Sequence, residues 1–305
     1  MTKNRSTGEV PISFSHVTKR YGAVTALDDF SAEVAPGRIT AFLGANGSGK
    51  TTSMRVLLGL SDPTAGTALV HGYRYAELRR PVRTVGAVLD QGFHPNRSAR
   101  NHLRIAAAQA HVPDSRVDDV LHLMGLTDAA RRTVGGFSLG MRQRLALASA
   151  IIADPSVLVL DEPLNGLDPA GIQTMRSFLR QFADNGGTVL LSSHLLAEIA
   201  HTADDAIIID RGRLVRSGAI ADLVPASAGT AVETPDADAL CAALARTGAS
   251  VARTGATRIV VTGVPPEVIG RTAVDADAVI LGMRAEGGDL EAIFASLIHP
   301  KETVS

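Results

Sequence analysis

The chain has 305 residues, with 30 Lys and Arg against 31 Asp and Glu, which gives a formal net charge of −1. A near-neutral chain lacks the basic surface that a dedicated nucleic-acid binder needs, so we expect no nucleic-acid partner. The composition, with 45% hydrophobic and 20% charged residues, excludes extensive disorder, and the single cysteine excludes an internal disulfide.

The sequence carries no membrane-spanning or secretion signal. The longest apolar run, residues 145–153, is interrupted by Ser149 and is far shorter than the ~20 residues needed to cross a bilayer. Residues 1–10 are polar and lack the apolar core of a signal peptide. We therefore expect a cytoplasmic protein that reaches the inner face of a membrane only through a partner.

Short strand patterns in the first 60 residues surround a glycine-rich loop. Alternating polarity predicts strands at residues 12–14 and 30–34, and residues 38–43 predict a third. After the loop, apolar residues return at helical spacing at Met54, Leu57, Leu58 and Leu60. The loop is therefore predicted to connect a strand to a helix.

That loop has the spacing Gly-x4-Gly-Lys-Thr, which is the pattern of a phosphate-binding P-loop. Its backbone N–H groups would cradle phosphates, Lys50 would reach the β- and γ-phosphates, and the Thr51 hydroxyl would bind Mg²⁺. The alternative is an accidental Gly- and Ser-rich turn, which the flanking strand and helix disfavour. The predicted nucleotide-binding residues are Gly44, Asn46, Gly47, Ser48, Gly49, Lys50, Thr51 and Thr52.

The middle of the chain alternates helices and strands. Residues 99–132 are predicted to be helical throughout, and further helices are predicted at 139–153, 170–183 and near 195–203. Strands are predicted at 157–160, 188–191 and 206–209. Strands that alternate with helices indicate an α/β fold with a parallel sheet.

Two carboxylates, Asp161 and Glu162, follow the apolar run of residues 157–160. The end of a buried parallel strand is where such sheets place ligands. With an upstream P-loop, Asp161 is predicted to hold Mg²⁺ and Glu162 to polarise the water that attacks the γ-phosphate. The alternative is that these carboxylates only cap a following helix.

A shift in composition near residue 225 predicts a second domain. Residues 224–229 are mostly small and form a predicted linker. Beyond it, strands are predicted at Val232, 250–252, 258–262 and 279–283, and helices at 237–246, 266–273 and 290–298. We expect a nucleotide-binding domain at 1–224, with a helical subdomain at about 92–153, and a small α+β domain at 225–305.

One further motif indicates the type of P-loop protein. It is the run Phe137-Ser-Leu-Gly-Met-Arg-Gln-Arg144, which precedes the strand predicted at 157–160. It resembles the signature loop of the ATP-binding subunits of ABC transporters. Further motifs agree in order: Asp168 matches the D-loop, His194 the switch histidine, and Tyr21 the aromatic residue that stacks on adenine. These motifs cover residues 12–218.

The resemblance narrows to the branch that exports drugs and antibiotics, because Leu139 and Met141 stand where many relatives have Gly and Gln. Ser138 and Gly140, which meet the γ-phosphate in the family, are retained. The register from Val85-Gly86 aligns the Q-loop residue, which contacts Mg²⁺ or water in the family, with Asp90 rather than Gln91, and both stay candidates.

The resemblance implies a P-loop ATPase that takes ATP and Mg²⁺. Its site would be completed by Ser138 and Gly140 of a second copy, or of a similar chain. Glu162 and His194 would be catalytic, and hydrolysis would drive a separate transmembrane permease.

Three other classes of protein fit the sequence less well. A soluble ABC-type ATPase of translation or DNA maintenance would carry two P-loops or a long coiled coil. A GTPase would carry an Asn-Lys-x-Asp guanine-binding motif, and neither this motif nor those features occur. An ATP-binding regulator without turnover is disfavoured because Glu162 and His194 are both present.

Overall fold

The computed structural model describes residues 10–89, 92–193, 202–223 and 229–286. The chain forms two compact units, residues 1–219 and residues 220–305. The domain boundary expected at residue 224 lies outside the described residues and stays a prediction. The same holds for the helix predicted at 290–298 and for most of the helix predicted near 195–203.

The first unit contains two sheets and helices that connect their strands. In chain order its strands are β1 (Ile12–Tyr21), β2 (Val24–Val34), β3 (Ile39–Leu43), β4 (Ala65–Val70), β5 (Val85–Val88), β6 (Val157–Leu160), β7 (Thr188–Ser193), β8 (Asp205–Asp210) and β9 (Arg213–Ala219). Its described α-helices are α1 (Lys50–Leu57), α2 (Pro81–Thr84), α3 (Ala99–Gln109), α4 (Ser115–Leu123), α5 (Leu139–Ile151) and α6 (Pro169–Asp184). Short 3-10 helices cover Tyr75–Glu77, Thr127–Ala129 and Val134–Gly136.

The larger sheet has the strand order β5-β6-β7-β3-β8-β9, and its neighbouring strands are parallel except for β8 and β9. All side chains of β3 and β6 are buried, as expected for strands covered on both faces. The carboxyl ends of β6, β7 and β3 therefore lie side by side along one edge. This edge carries the P-loop and the carboxylate pair.

The smaller sheet is antiparallel, with the order β2-β1-β4. Phe14 and Phe30 from this sheet pack edge to face, with ring centroids 5.2 Å apart. Phe30 also stacks on Phe42 of the larger sheet at 5.6 Å. One hydrophobic core thus joins the two sheets and supports the strand that leads into the P-loop.

The prediction that residues 99–132 are helical throughout is wrong. The helical periodicity is real, since Leu103, Val117 and Val120 are buried, but α3 ends at Gln109 and α4 begins only at Ser115. Pro113 lies between them, and proline lacks an N–H and disfavours helical backbone in the preceding residue. Gly125, at a φ of 61°, ends the second helix.

Smaller differences have similar local causes. The helix expected to reach Ala153 ends at Ile151. Strand β9 was not predicted because its side chains are mostly exposed and show no hydrophobic alternation. The strand expected at 279–283 begins only at Gly282; the apolar residue Leu281, which favoured the earlier start, is 68% exposed.

The second unit begins with the short helix α7 (Ile220–Leu223). Its other elements are β10 (Gly229–Glu233), α8 (Ala237–Ala245), β11 (Ser250–Arg253), β12 (Arg258–Thr262), α9 (Pro266–Asp275) and β13 (Gly282–Glu286). The four strands form an antiparallel sheet in the order β11-β12-β10-β13. This is the βαββαβ arrangement of the ferredoxin-like motif. Its core consists of strand residues such as Val232 and Ile259 and helix residues such as Leu240 and Ile269.

Candidate nucleotide-binding site

The P-loop connects β3 to α1, as the sequence predicted. A Cβ atom on Gly44 would lie 2.4 Å from the Ser48 hydroxyl and 2.5 Å from the Ile209 carbonyl, so only glycine fits there. Gly49 immediately precedes α1 at a φ of 116°, which side chains rarely adopt. The loop is therefore tightly wound onto the start of the helix, where free backbone N–H groups attract anions.

Lys50 holds its charge inside this loop. The residue is 6% exposed, and its ammonium donates to the carbonyls of Gly44, at 2.6 Å, and Ala45, at 3.1 Å. Burial lowers the pKa of Lys50, and the negative charges of Glu162 and Asp161 act in the opposite direction. Among the described residues the ammonium donates to neutral carbonyls, so an anionic phosphate would give it stronger, charge-assisted hydrogen bonds.

Asp161 meets the P-loop directly. The Thr51 hydroxyl donates to Asp161 Oδ2 at 2.6 Å, and the Ser192 hydroxyl at the end of β7 donates to Asp161 Oδ1. A hydroxyl beside a carboxylate is an all-oxygen donor set of the kind that Mg²⁺ prefers. Within the described ranges no group of three or more His, Cys, Asp and Glu side chains could hold a metal alone. The residues fit a Mg²⁺ that also takes ligands from a bound phosphate.

Glu162, the next residue, has a left-handed backbone with a φ of 49°. Its N–H donates to the Ser192 hydroxyl at 2.9 Å, and its carbonyl accepts from the Gln143 side-chain amide at 3.3 Å. Sequence reasoning did not single out Ser192 or Gln143 as site residues. The sequence signal for Ser192 is its place directly after the strand predicted at 188–191 and two residues before His194.

The signature loop and the D-loop form a second surface. Ser138 caps α5 by accepting from the Met141 N–H at 3.2 Å, and Asp168 caps α6 by accepting from the Gly171 N–H at 2.9 Å. Both residues, with Gly140, line a cavity of about 390 Å³. No P-loop residue lines this cavity. The signature residues and the P-loop of one chain thus belong to separate surfaces.

Tyr21 lies at the end of β1 and is 49% exposed. Its hydroxyl lies 3.2 Å from that of Ser61, and the Lys19 ammonium lies 4.8 Å from the ring centroid. An anchored, exposed ring of this kind has the surface for stacking on a planar base. The remaining predicted site residues, His194, Asp90 and Gln91, lie outside the described residues.

Comparisons with known proteins agree with this geometry. The ABC transporter family matches residues 27–165, and a family described only as a domain of unknown function (DUF8746) matches residues 228–291. The bacitracin transport ATP-binding protein BcrA of Enterococcus faecalis is 39% identical over 219 residues, which is 70% of this chain and 71% of that protein. The lantibiotic transport ATP-binding protein SrtF of Streptococcus pyogenes is 35% identical over 205 residues, which is 67% of this chain and 89% of that protein.

A solved structure of an ATP-binding subunit of an ABC transporter matches with a TM-score of 0.64 and 26% identity, over 70% of this chain and 91% of that one. The parallel sheet, the P-loop and the carboxylate strand define a P-loop ATPase of the ATP-binding-cassette class. The chain belongs to the ABC transporter family as an ATP-binding subunit, which hydrolyses ATP to power transport. The alternative of a non-transport ABC-type ATPase is not supported.

The expected fold class and the resemblance to the antibiotic-export branch are confirmed. No helix within residues 10–89, 92–193, 202–223 and 229–286 has both the length and the apolarity to cross a membrane.

Proposed function

We propose that the P-loop residues Gly44–Thr52 bind the phosphates of one ATP and that Tyr21 stacks on its adenine. The main support is the direct hydrogen bond between Thr51 and Asp161, which joins the P-loop to the carboxylate pair at one edge of the sheet. Thr51 and Asp161 would hold Mg²⁺, which supplies charge neutralisation for the phosphates when bound. Asp90 or Gln91 would contribute to the same ion.

A second copy, or a similar chain, completes the site in this proposal. Ser138 and Gly140 line a cavity without any P-loop residue, so the signature surface of one chain is free to close over the nucleotide of another. Asp168 lines the same cavity and would lie at the junction of the two chains. ATP would then hold the dimer together until it is hydrolysed.

Glu162 is proposed as the general base that polarises the attacking water, and His194 as the group that holds this water and the γ-phosphate. Burial lowers the pKa of Lys50, and against this larger effect the negative charge of Glu162 acts to raise it, which supports a carboxylate near the P-loop lysine. Positioning and charge stabilisation would carry most of the rate.

The substitution Glu162→Gln tests this proposal, because it keeps size and hydrogen bonding but removes the base. We expect turnover to fall by ~10²–10⁴-fold while ATP binding survives. The variant should also shift from monomer to dimer in size-exclusion chromatography when ATP and Mg²⁺ are added. Glu33→Gln, the same change at an exposed strand residue, serves as the control.

Turnover tests the catalytic role of Glu162, and dimerisation with ATP tests the composite site. Turnover at the native rate in Glu162→Gln would remove its catalytic role. An inactive variant that stays monomeric with ATP would leave that role standing and would contradict the composite site.

The cargo proposal rests on the relatives that transport bacitracin and lantibiotics. We propose that this subunit sits at the cytoplasmic face of the membrane, on a separate permease, and powers export of a peptide antibiotic or similar compound. Cells that produce only the Lys50→Ala chain should become more sensitive to the exported compound. Unchanged sensitivity to bacitracin, to lantibiotics and to a wider antibiotic panel would contradict this cargo class and leave the ATPase assignment intact.

A further inference from the structure

Glu162 occupies an unfavourable backbone conformation. Its φ of 49° lies in the left-handed region, which is sparsely populated by residues with a Cβ atom. Such a conformation is unfavourable and persists only where the surroundings enforce it. The groups that enforce it here also determine where the Glu162 carboxylate points.

Two side chains hold the peptide groups on either side of this residue. Ser192, fully buried at the end of β7, accepts from the Glu162 N–H at 2.9 Å and donates to Asp161. Gln143, which is 7% exposed on α5, donates from its side-chain amide to the Glu162 carbonyl at 3.3 Å. The backbone of Glu162 is thus fixed by a neighbouring strand on one side and by a helix on the other.

The helix that supplies Gln143 is the one that begins at the signature loop. Ser138 caps α5, and Gln143 follows five residues later, about 7.5 Å along the axis at the usual rise of 1.5 Å per residue. A helix is stiff over this length, so a displacement of its first turn also moves the Gln143 amide. The signature surface and the Glu162 carbonyl of one chain are therefore mechanically connected through the Gln143 side chain.

We propose that Gln143 is a positioning residue that couples the signature helix to the catalytic glutamate of its own chain. Ser192 provides the fixed side of this arrangement, and Gln143 provides the side that moves with α5. The inference rests on the proposed role of Glu162 as the base. It predicts that loss of the amide donor lowers turnover while ATP binding by the P-loop is retained.

The test uses the full chain with Gln143→Glu, which keeps the side-chain length but replaces the donating amide nitrogen with an oxygen. We expect kcat to fall by about 5- to 30-fold, the range that corresponds to one or two kcal/mol. ATP affinity, measured by equilibrium binding, should change less than about twofold. Gln109→Glu makes the same change at an exposed helix position and should leave kcat unchanged.

A second variant covers the case in which a buried carboxylate prevents folding. Gln143→Leu also removes the donor but adds no charge, and circular dichroism with thermal melting verifies that either variant is folded. If kcat stays within twofold of the native value in every folded variant, the inference is wrong. A fall in ATP affinity equal to the fall in kcat would also overturn it, because a general loss of structure would then explain both.

The double variant Glu162→Gln, Gln143→Glu distinguishes this inference from the proposed function. If Gln143 acts through Glu162, its substitution should cost nothing further once the base is gone, whereas an independent structural defect should multiply with the first loss. Native turnover in Glu162→Gln alone would refute the catalytic role of Glu162 and the inference with it. An inactive Glu162→Gln beside fully active Gln143 variants would refute only the coupling.

Discussion

The carboxyl edge of the parallel sheet and the four-stranded sheet of the second unit are built on different principles. At the first, polar side chains form hydrogen bonds between elements far apart in sequence, as Thr51 of α1 and Ser192 of β7 do with Asp161. In the second, apolar residues such as Val232, Leu240 and Ile259 form the core. The polar contacts at the sheet edge position groups for chemistry, whereas the contacts in the second unit serve packing alone. Substitutions in the two regions should therefore have separable effects on catalysis and on stability.

The largest expected effect is on nucleotide binding. Lys50→Ala removes the buried ammonium and its charge-assisted bonds to the phosphates, so ATP affinity should fall at least about 100-fold with the fold intact. Isothermal titration calorimetry with ATP and Mg²⁺ measures this, and circular dichroism checks the fold. Lys3→Ala is the control for a lysine outside the P-loop. Unchanged affinity in Lys50→Ala would contradict the P-loop assignment.

A core substitution in the second unit should have the opposite profile. Leu240 is fully buried, and Leu240→Ala removes apolar contacts and leaves a cavity that costs about 2–5 kcal/mol. We expect a lower free energy of unfolding for residues 220–305 and an unchanged ATP turnover at 25 °C. Urea unfolding and a steady-state ATPase assay measure the two quantities.

The matched control is Leu281→Ala, because Leu281 belongs to the same unit but is 68% exposed. It should change the free energy of unfolding by less than about 0.5 kcal/mol. A loss of ATPase activity in Leu240→Ala as large as the loss of stability would show that the second unit takes part in catalysis.

A smaller effect is expected at Asp204, which supports the parallel sheet away from the chemistry. It accepts from the Ile39 N–H at 2.9 Å and from Arg180 at 2.8 Å. Burial alone raises the pKa of Asp204, but these bonds and the charges of Arg180 and Arg38 outweigh it, so the pKa lies below its ordinary value of 3.8. Asp204→Asn should cost about 1 kcal/mol near neutral pH.

The sign of the pH dependence follows from that shift. Because the folded state binds the proton less readily than the unfolded state, the stabilisation is present above pH 3.8 and is lost as the pH falls through the lowered pKa. The difference in free energy of unfolding between the native chain and Asp204→Asn should shrink on acidification, as urea titrations at several pH values would reveal. Asp119→Asn, the same change at an exposed helix position, serves as the control.

The two regions also differ in how much the sequence could predict. The strand Val157–Leu160 was predicted to the residue, because a continuous apolar run bounded by Pro155 and Asp161 leaves little choice. The P-loop was equally plain, since its glycines are required by local geometry. In the second unit, the apolar pattern predicted strands and helices but gave no sign of a chemical site. Exposed apolar residues such as Leu281 made the predicted bounds of the last strand too early.

The roles of Ser192 and Gln143 could not be predicted from the sequence. Ser192 acts on Asp161, 31 positions earlier, only because the sheet order places β7 beside β6. Gln143 reaches Glu162 only because α5 packs next to the end of β6. Sequence periodicity places residues on faces of single elements, and contacts between elements depend on the assembled sheet. The helix break at Pro113 was missed for another reason, since the apolar spacing continues on both sides of it.

The smallest expected effect comes from removing the second unit. Residues 1–224 contain every predicted nucleotide-binding motif, and the contacts among Lys50, Thr51, Asp161 and Ser192 all lie within the first unit. A chain of residues 1–224 should therefore fold and bind ATP with an affinity within about twofold of the full chain, and the same chain with Lys50→Ala should not bind. Fluorescence titration with an ATP analogue measures both. An insoluble truncation, or a folded one that no longer binds nucleotide, would mean that residues 225–305 stabilise the P-loop edge, and the separation of chemistry from packing drawn above would be wrong.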